Sequence, residues 1–113
     1  MDQQPRYDTS IWTRFQLGSL AGEGNIENAG PGGVFVRTAT IPERGEKVWL
    51  SFRGPNGEVV EASGVVWWTT LDARARAKAR QGFGVRLVAS TGDYRKLLKR
   101  LERFGARIEA HSA

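Results

Sequence analysis

The sequence predicts a mainly β protein, a six-stranded antiparallel β-barrel with a C-terminal α-helix. Six short segments alternate apolar and polar residues with the period of two that is typical of half-buried strands. Turns rich in glycine and proline separate them, and helical spacing of apolar residues occurs near the C-terminus. The 113 residues suffice for one domain. We expect a flexible arm over residues 1–10, one barrel with its helix over 11–108, and a disordered tail over 109–113.

The first half of the chain is expected to supply three of the six strands. The run 11–17 alternates with period two and predicts the first strand. Residues 21–24 resemble a turn, and a short strand is expected at 25–27. The segment 28–33 is too rich in glycine and proline for regular structure, whereas the β-branched run 34–38 favours the third strand.

Three further strands are predicted after a turn at 42–45. The run 47–53 alternates and leads into Asn-Gly, a pair that supplies the positive φ angles of a tight hairpin turn. The return strand is expected at 58–70, with a bend or bulge at Gly64, and the last strand at 83–89. One face of the return strand is predicted to carry Val60, Ala62, Val66 and Trp68.

The C-terminal segment predicts an amphipathic helix. Ser90 and Asp93 have the spacing of a capping box, and Gly105 is placed to end the helix. Apolar residues recur at helical spacing and form one stripe, which comprises Tyr94, Leu97, Leu98, Leu101 and Phe104. The opposite face carries five cations and one acid, namely Arg95, Lys96, Lys99, Arg100, Arg103 and Glu102.

The charge balance favours an anionic partner. Lysine and arginine number 17 against 12 acids, which gives a net charge of +5 and an isoelectric point near 10.2. A nucleotide, a nucleic acid, an acidic protein face and a membrane surface all fit this balance. No apolar run has the ~18 residues of a membrane span, and the first residues do not resemble a signal peptide, so we expect a cytoplasmic protein without membrane insertion.

Enzymatic chemistry is poorly supported by the residue types. The chain has no cysteine, which excludes disulfides and thiolate metal sites. The single histidine, His111, lies near the C-terminal end, where a general base would be poorly held. We therefore predict a protein that is not an enzyme and has neither a metal site nor a resident cofactor.

One glycine-rich segment makes the barrel prediction more specific. Residues 28–38 resemble the signature loop and strand of the PilZ domain, the bacterial cyclic di-GMP receptor family, which has Asp or Asn, any residue, Ser, two more residues and Gly before a hydrophobic strand. Further matches follow in order at 45–52, the Asn-Gly hairpin, 64–67 and 82–85. The resemblance covers residues 6–104 and implies a PilZ-type barrel.

The resemblance implies a site for cyclic di-GMP that is incomplete in this chain. The family binds the nucleotide with two arginines four positions apart and with its Asx–Ser–Gly loop. Asn28 and Gly33 match that loop, but Gly30 stands in place of the serine, and Asp2 stands four residues before Arg6. Taking Arg14 as the second arginine puts Ser10 in the earlier position, so neither choice restores the pair. The candidate nucleotide-binding residues are Arg6, Asn28, Gly30, Gly33 and Arg37.

Partner binding is predicted for exposed tryptophans and for two basic segments. Trp12 and Trp49 share strand faces with the cations Arg14, Lys47 and Arg53, so we expect them to face outward. The segment 72–80 alternates alanine with basic residues and is interpreted as an exposed cationic loop. The partner-binding candidates are Trp12, Trp49, Arg74, Arg76, Lys78, Arg80, Lys96, Lys99, Arg100 and Arg103.

Three functions remain open on this basis. The preferred hypothesis is a PilZ signalling adaptor that binds cyclic di-GMP weakly or not at all and acts on a protein partner in motility, type IV pilus, polarity or biofilm regulation. The second is a working cyclic di-GMP receptor that uses Arg6 and Asn28. The third, which the basic composition and the outward aromatics suggest, is a small barrel that binds RNA or DNA.

Overall fold

Six antiparallel strands and a C-terminal helix form the protein, as predicted. The structure is a computed structural model and describes residues 5–54, 57–70, 81–104 and 107–108. A seventh, two-residue strand follows the helix. The elements are β1 (Arg6–Leu17), β2 (Leu20–Gly30), β3 (Gly33–Arg37), β4 (Lys47–Arg53), β5 (Val59–Thr69), β6 (Gly82–Ser90), α1 (Gly92–Phe104) and β7 (Arg107–Ile108).

The sheet closes because β1 pairs with both β4 and β2, which are the two ends of the order that the other five barrel strands form. The strand order is β2-β3-β6-β5-β4-β1-β7, and β1 also pairs with β2. The β1–β4 pairing is short and covers only Thr13–Gln16 against Trp49–Phe52. Alternate residues of each strand point inward, so the barrel interior is filled by large apolar side chains such as Phe15, Leu50 and Phe83.

The first two strands are longer than the sequence predicted. Residues 6–10, which we expected in an N-terminal arm, form the start of β1, and the predicted tail 109–113 lies outside the described residues. The predicted turn at 21–24 is wrong, because that segment belongs to β2 and the chain turns at Gly18, which has φ 60. Gly22 belongs to the strand, and a glycine is needed there because the Phe15 ring occupies the place that a Cβ would take.

The segment 28–33 is more regular than expected. Residues 28–30 complete β2, Gly33 starts β3, and the turn is confined to the two residues between them. Glu27 is an extra residue of β2 opposite β3, since Ile26 pairs with Val36 and Asn28 pairs with Phe35. Gly30 and Gly33 lie where other main chain approaches closely, so these two glycines belong to strands and not to the irregular segment that was expected.

The β4–β5 hairpin is confirmed, with one error in β5. Gly57 has φ 87 and donates its N–H to the Gly54 carbonyl at 2.9 Å, and the pairing of β5 with β6 shifts register at Gly64, as predicted. A second shift between Val66 and Trp68 was not foreseen. It turns Trp68 outward, where the side chain is 38% exposed, so its predicted inward position is wrong.

Helix α1 covers the open end of the barrel with its apolar stripe. Tyr94, Leu97 and Leu101 are buried in the core. The helix starts one residue later than the predicted capping box, since Ser90 still belongs to β6 and the Thr91 carbonyl accepts the Tyr94 N–H at 3.0 Å. Gly105 lies outside the described residues. In the part of the chain that is described, no helix has the length and apolar character needed to cross a bilayer.

Candidate functional site

The first candidate site is the end of β2, which we call the Asn28 corner and define by Pro5, Arg6, Asn28, Gly30 and Tyr94. The antiparallel pairing of β1 with β2 places Arg6 beside Asn28, although the two are 22 residues apart in sequence. The Arg6 Nε donates to the Asn28 Oδ1 at 2.9 Å, and the Arg6 Nη2 donates to the same oxygen. The structure therefore brings together these two predicted nucleotide-binding residues and bonds them to each other.

Arg6 is a half-buried cation. Burial lowers the pKa of Arg6 below its ordinary value, and interaction with the Tyr94 phenol opposes that shift. A guanidinium nevertheless stays protonated in proteins. Its charge is thus held at the Asn28 corner, where it engages a side chain of the protein itself.

Gly30 closes the corner from the other side. The Tyr94 hydroxyl donates to the Gly30 carbonyl at 2.6 Å in a buried hydrogen bond. A Cβ at position 30 would overlap the Pro5 carbonyl oxygen, so the serine that the family has here would need movement of the main chain. Burial raises the pKa of the Tyr94 phenol, and the neighbouring Arg6 cation opposes this shift.

The other two nucleotide-binding candidates are held differently. Gly33 pairs with Gly30 across the β2–β3 turn. Arg37 lies near the end of β3, and its Nε contacts the Glu27 carboxylate at 2.6 Å. Arg37 also lines a groove of about 500 Å³ together with Trp12 and Asn25. Its charge is therefore engaged by Glu27 and is not directed at Asn28.

The second candidate site is an open groove that we call the β1–β4 cleft. It exists because β1 and β4 pair over only four residues and then separate. Its volume is about 670 Å³. Trp12, which is 53% exposed, stands at its edge as predicted. The lining residues are Thr9, Ser10, Ile11, Trp12, Arg14, Ser51, Phe52, Arg53, Gly54 and Val59.

A third groove, of about 390 Å³, contains the other predicted tryptophan. Trp49 is 40% exposed, which confirms its outward position, and it lines this groove with Lys47, Val65 and Val88. Trp12 and Trp49 thus face outward on adjacent strands, but they do not share a groove.

Two further tryptophans were not recognised in the sequence as surface residues. Trp67 is exposed and stacks under the Arg86 guanidinium, whose carbon lies 4.6 Å from the ring centroid. Trp68 stacks on Phe35 with ring centroids 5.3 Å apart. Alternation alone places Trp67 on the face opposite buried Val66, whereas Trp68 faces outward because of the register shift in β5, for which period-two alternation carries no signal.

The basic helix face is only partly exposed. Lys96 lies 3.8 Å from Asp93 in a solvent-exposed ion pair, and Lys99 and Arg103 are exposed. Arg100 is half-buried, and its Nε has no hydrogen-bond partner within the described part of the chain. The predicted cationic loop, with Arg74, Arg76, Lys78 and Arg80, lies outside the described residues.

Sequence reasoning missed several residues that shape the two sites. The spacing of the helix residues places Tyr94 in an apolar stripe. It does not indicate that the Tyr94 hydroxyl donates a hydrogen bond to a carbonyl of β2. Pro5 and Arg53 are likewise absent from the predicted site residues, because each of the two sites combines segments that are distant in sequence. The described residues contain no group of three or more His, Cys, Asp or Glu side chains that could hold a metal ion.

The barrel and its closing helix agree with the comparison against family models. The PilZ domain model matches residues 2–103, so the chain belongs to the PilZ domain family. No curated protein matches the sequence.

A solved structure of the same fold is the inhibitor of motility MotI (DgrA) of Bacillus subtilis. The two structures superimpose with a TM-score of 0.75 at 19% sequence identity. The match covers 91% of this chain and 50% of the Bacillus protein, so this chain corresponds to about half of that one.

Proposed function

We propose that this PilZ domain is a non-catalytic signalling adaptor that binds cyclic di-GMP weakly or not at all and acts through a protein partner. The adaptor works in the cytoplasm, and motility control is the preferred setting. Type IV pilus, polarity and biofilm regulation are related settings for the same kind of module.

The observation that carries the proposal is the state of the Asn28 corner. Asn28 is the Asx residue that the family resemblance assigns to the nucleotide, yet its Oδ1 accepts two bonds from Arg6. A ligand that bound Asn28 through this oxygen would have to replace those bonds. Charge-assisted hydrogen bonds contribute about 1.5–3 kcal/mol each, so the exchange would remove much of the gain on binding.

The absence of the family's serine points in the same direction. Gly30 offers no hydroxyl, and the overlap of a Cβ with the Pro5 carbonyl leaves no room for one in this backbone arrangement. Asp2, four residues before Arg6, supplies a negative charge where the family has its other arginine. Several lost contacts of this size would weaken a micromolar ligand to about millimolar affinity.

The solved structure supports motility as the setting. The matched Bacillus protein is an inhibitor of motility, and this chain shares its fold over half its length. A module of this fold therefore occurs in a protein that acts on motility, and the same role is proposed for this chain.

One observation favours a second candidate, a working cyclic di-GMP receptor. The fold does place Arg6 next to Asn28, as the receptor hypothesis requires. An arginine held in this position could turn from the Asn28 amide to a phosphate or a guanine edge. This reading predicts that Arg6 and Asn28 both contribute to nucleotide affinity.

Calorimetric titration with cyclic di-GMP at ~0.15 M salt separates the two. The adaptor reading predicts a dissociation constant of about a millimolar or weaker, and Arg6→Ala and Asn28→Ala should leave it unchanged. Arg95→Ala, on the exposed helix surface, is the matched control for charge loss. Tight binding that falls in both corner variants but not in Arg95→Ala would replace the adaptor with the receptor.

A further inference from the structure

We propose that the β1–β4 cleft binds an extended acidic segment of a protein partner, with Arg14 and Arg53 contacting its carboxylates and Trp12 contacting an apolar side chain. This inference deepens the proposed adaptor function, on which it rests, by giving the partner a chemistry and a docking surface. Three features of the cleft support it, namely the geometry of its two strands, the positive charge of its lining and the exposed Trp12 ring.

The geometry of the cleft suits an extended chain. β1 pairs on one side with β4 at Thr13–Gln16 and with β7 at Arg6–Tyr7, whereas residues 8–12 of β1 have no backbone pairing on that side among the described residues. The cleft lies along this separation, with residues 9–12 of β1 on one wall and 51–54 on the other. Both walls are extended main chain, which lets a third extended segment lie between them.

The charge of the lining selects an acidic occupant. Among the described residues that line the cleft, two are arginines and none is a carboxylate. The Arg14 guanidinium carbon lies 5.7 Å from the Trp12 ring centroid, and the Arg53 Nη1 donates to the Gly57 carbonyl at 3.4 Å. Neither contact neutralises the cation, so both can make bidentate bonds to carboxylates.

Three acids lie beside the cleft without lining it. Glu23 is the cross-strand partner of Arg14, and Glu61 is the cross-strand partner of Ser51. The Glu58 side chain lies over Gly54, where a Cβ would meet the Glu58 carboxyl carbon at 2.7 Å. Arginine is therefore the only charged residue type in the described lining of the cleft.

Trp12 supplies the apolar part of the surface. It is exposed on the outer wall beside Ile11, which packs against the core, and exposed tryptophans are enriched in the residues that dominate binding energy. A segment that combines acids with an aromatic or aliphatic residue would use both the cations and the ring. Nucleic acid is disfavoured, because Trp12 and Trp49 line different grooves and do not form a continuous stacking row.

The test is fluorescence anisotropy with a labelled acidic peptide, acetyl-DEDFDED-amide, at ~0.15 M salt. The matched neutral peptide, acetyl-NQNFNQN-amide, should bind at least tenfold more weakly. The double variant R14E/R53E should weaken the acidic peptide at least tenfold. The control R86E/R95E makes the same charge change at two exposed arginines outside the cleft, on β6 and on the helix, and should alter affinity less than twofold.

Two tryptophan variants separate this cleft from the rest of the aromatic surface. Trp12→Ala should weaken the acidic peptide severalfold, whereas Trp67→Ala, which removes a similarly exposed tryptophan on β5, should not. Amide NMR shifts induced by the peptide should centre on residues 9–12 and 51–54. Circular dichroism of every variant establishes that the fold is retained.

Several results would overturn the inference. They are no binding of the acidic peptide, equal losses in R14E/R53E and R86E/R95E, or tighter binding of oligouridylate than of the acidic peptide. Each of these leaves the cyclic di-GMP titration untouched, so failure of the cleft is distinguishable from failure of the adaptor. Conversely, tight nucleotide binding would refute the adaptor without changing the peptide result.

Discussion

The Asn28 corner and the β1–β4 cleft both contain arginine side chains, but the two regions differ in whether the polar groups make hydrogen bonds within the protein or face an open groove. In the corner, Arg6 bonds to Asn28 and the Tyr94 hydroxyl bonds to Gly30, so the groups engage one another. In the cleft, Arg14 and Arg53 line an open groove without an acid in its lining. The comparison shows that residue identity alone does not define a binding site, because the same side chain can serve the fold or a ligand.

Tyr94 gives the largest expected difference between the two regions. Tyr94→Ala should lower the free energy of unfolding by about 3–5 kcal/mol, because it removes a buried ring that packs on Phe52. Tyr94→Phe keeps the ring but leaves the Gly30 carbonyl without its donor, at about 1–3 kcal/mol. Urea unfolding measures both values, and a Tyr94→Phe protein as stable as the parent would refute a structural role for this hydroxyl.

Gly30→Ala tests whether the corner is closed by its own main chain. The added Cβ overlaps the Pro5 carbonyl oxygen, so we expect a loss of about 1–3 kcal/mol in the free energy of unfolding. Gly92→Ala is the matched control, because a Cβ there meets nothing within 4 Å, and it should be neutral or slightly stabilising. Equal stability of the two variants would contradict the closed corner.

Alkaline titration tests the same corner without changing its shape. Burial raises the pKa of Tyr94 above its ordinary value near 10, so the unfolded chain loses this proton first. The stabilising contribution is complete below about pH 10 and falls by about 1.4 kcal/mol per pH unit above it, until the folded pKa is reached. Urea unfolding from pH 9 to 11 should show this decline in the parent, and Tyr94→Phe should lack it.

Trp12→Ala is expected to give the smallest effect on stability. The side chain is 53% exposed at the edge of the cleft, so the free energy of unfolding should change by about 0.5 kcal/mol or less. Thermal unfolding beside the parent measures the change. A loss comparable to that of Tyr94→Phe would mean that the ring supports the fold, and the contrast between the two regions would disappear.

The barrel could be predicted because its signals are local. Strands β4, β5 and β6 and the helix follow from alternation, from the Asn-Gly hairpin and from the apolar stripe. The outward positions of Trp12 and Trp49 followed from the same alternation. Each of these features depends on residues that are close in sequence, and the family resemblance added the order of the strands' signature segments.

The contents of the two sites could not be predicted, because they depend on register and on contacts between distant segments. Glycines at 22 and 30 indicated turns, whereas they make room for the Phe15 ring and for the Pro5 carbonyl. The inward prediction for Trp68 failed at a register shift that leaves no mark in the alternation. The pairing of Arg6 with Asn28 and the shortness of the β1–β4 pairing both require knowledge of which residues face each other across strands.

The extra residue in β2 decides on which face of the strand the Asn28 side chain lies. Ile26 is buried, and strict alternation would point position 28 toward the same interior. Glu27 is an extra residue of β2 in its pairing with β3, so the inward and outward alternation shifts by one position after it. The Asn28 amide therefore lies on the outer face, beside Arg6. A strand that kept Glu27 in regular alternation would instead bury the Asn28 amide in the core and leave the Arg6 guanidinium without this acceptor.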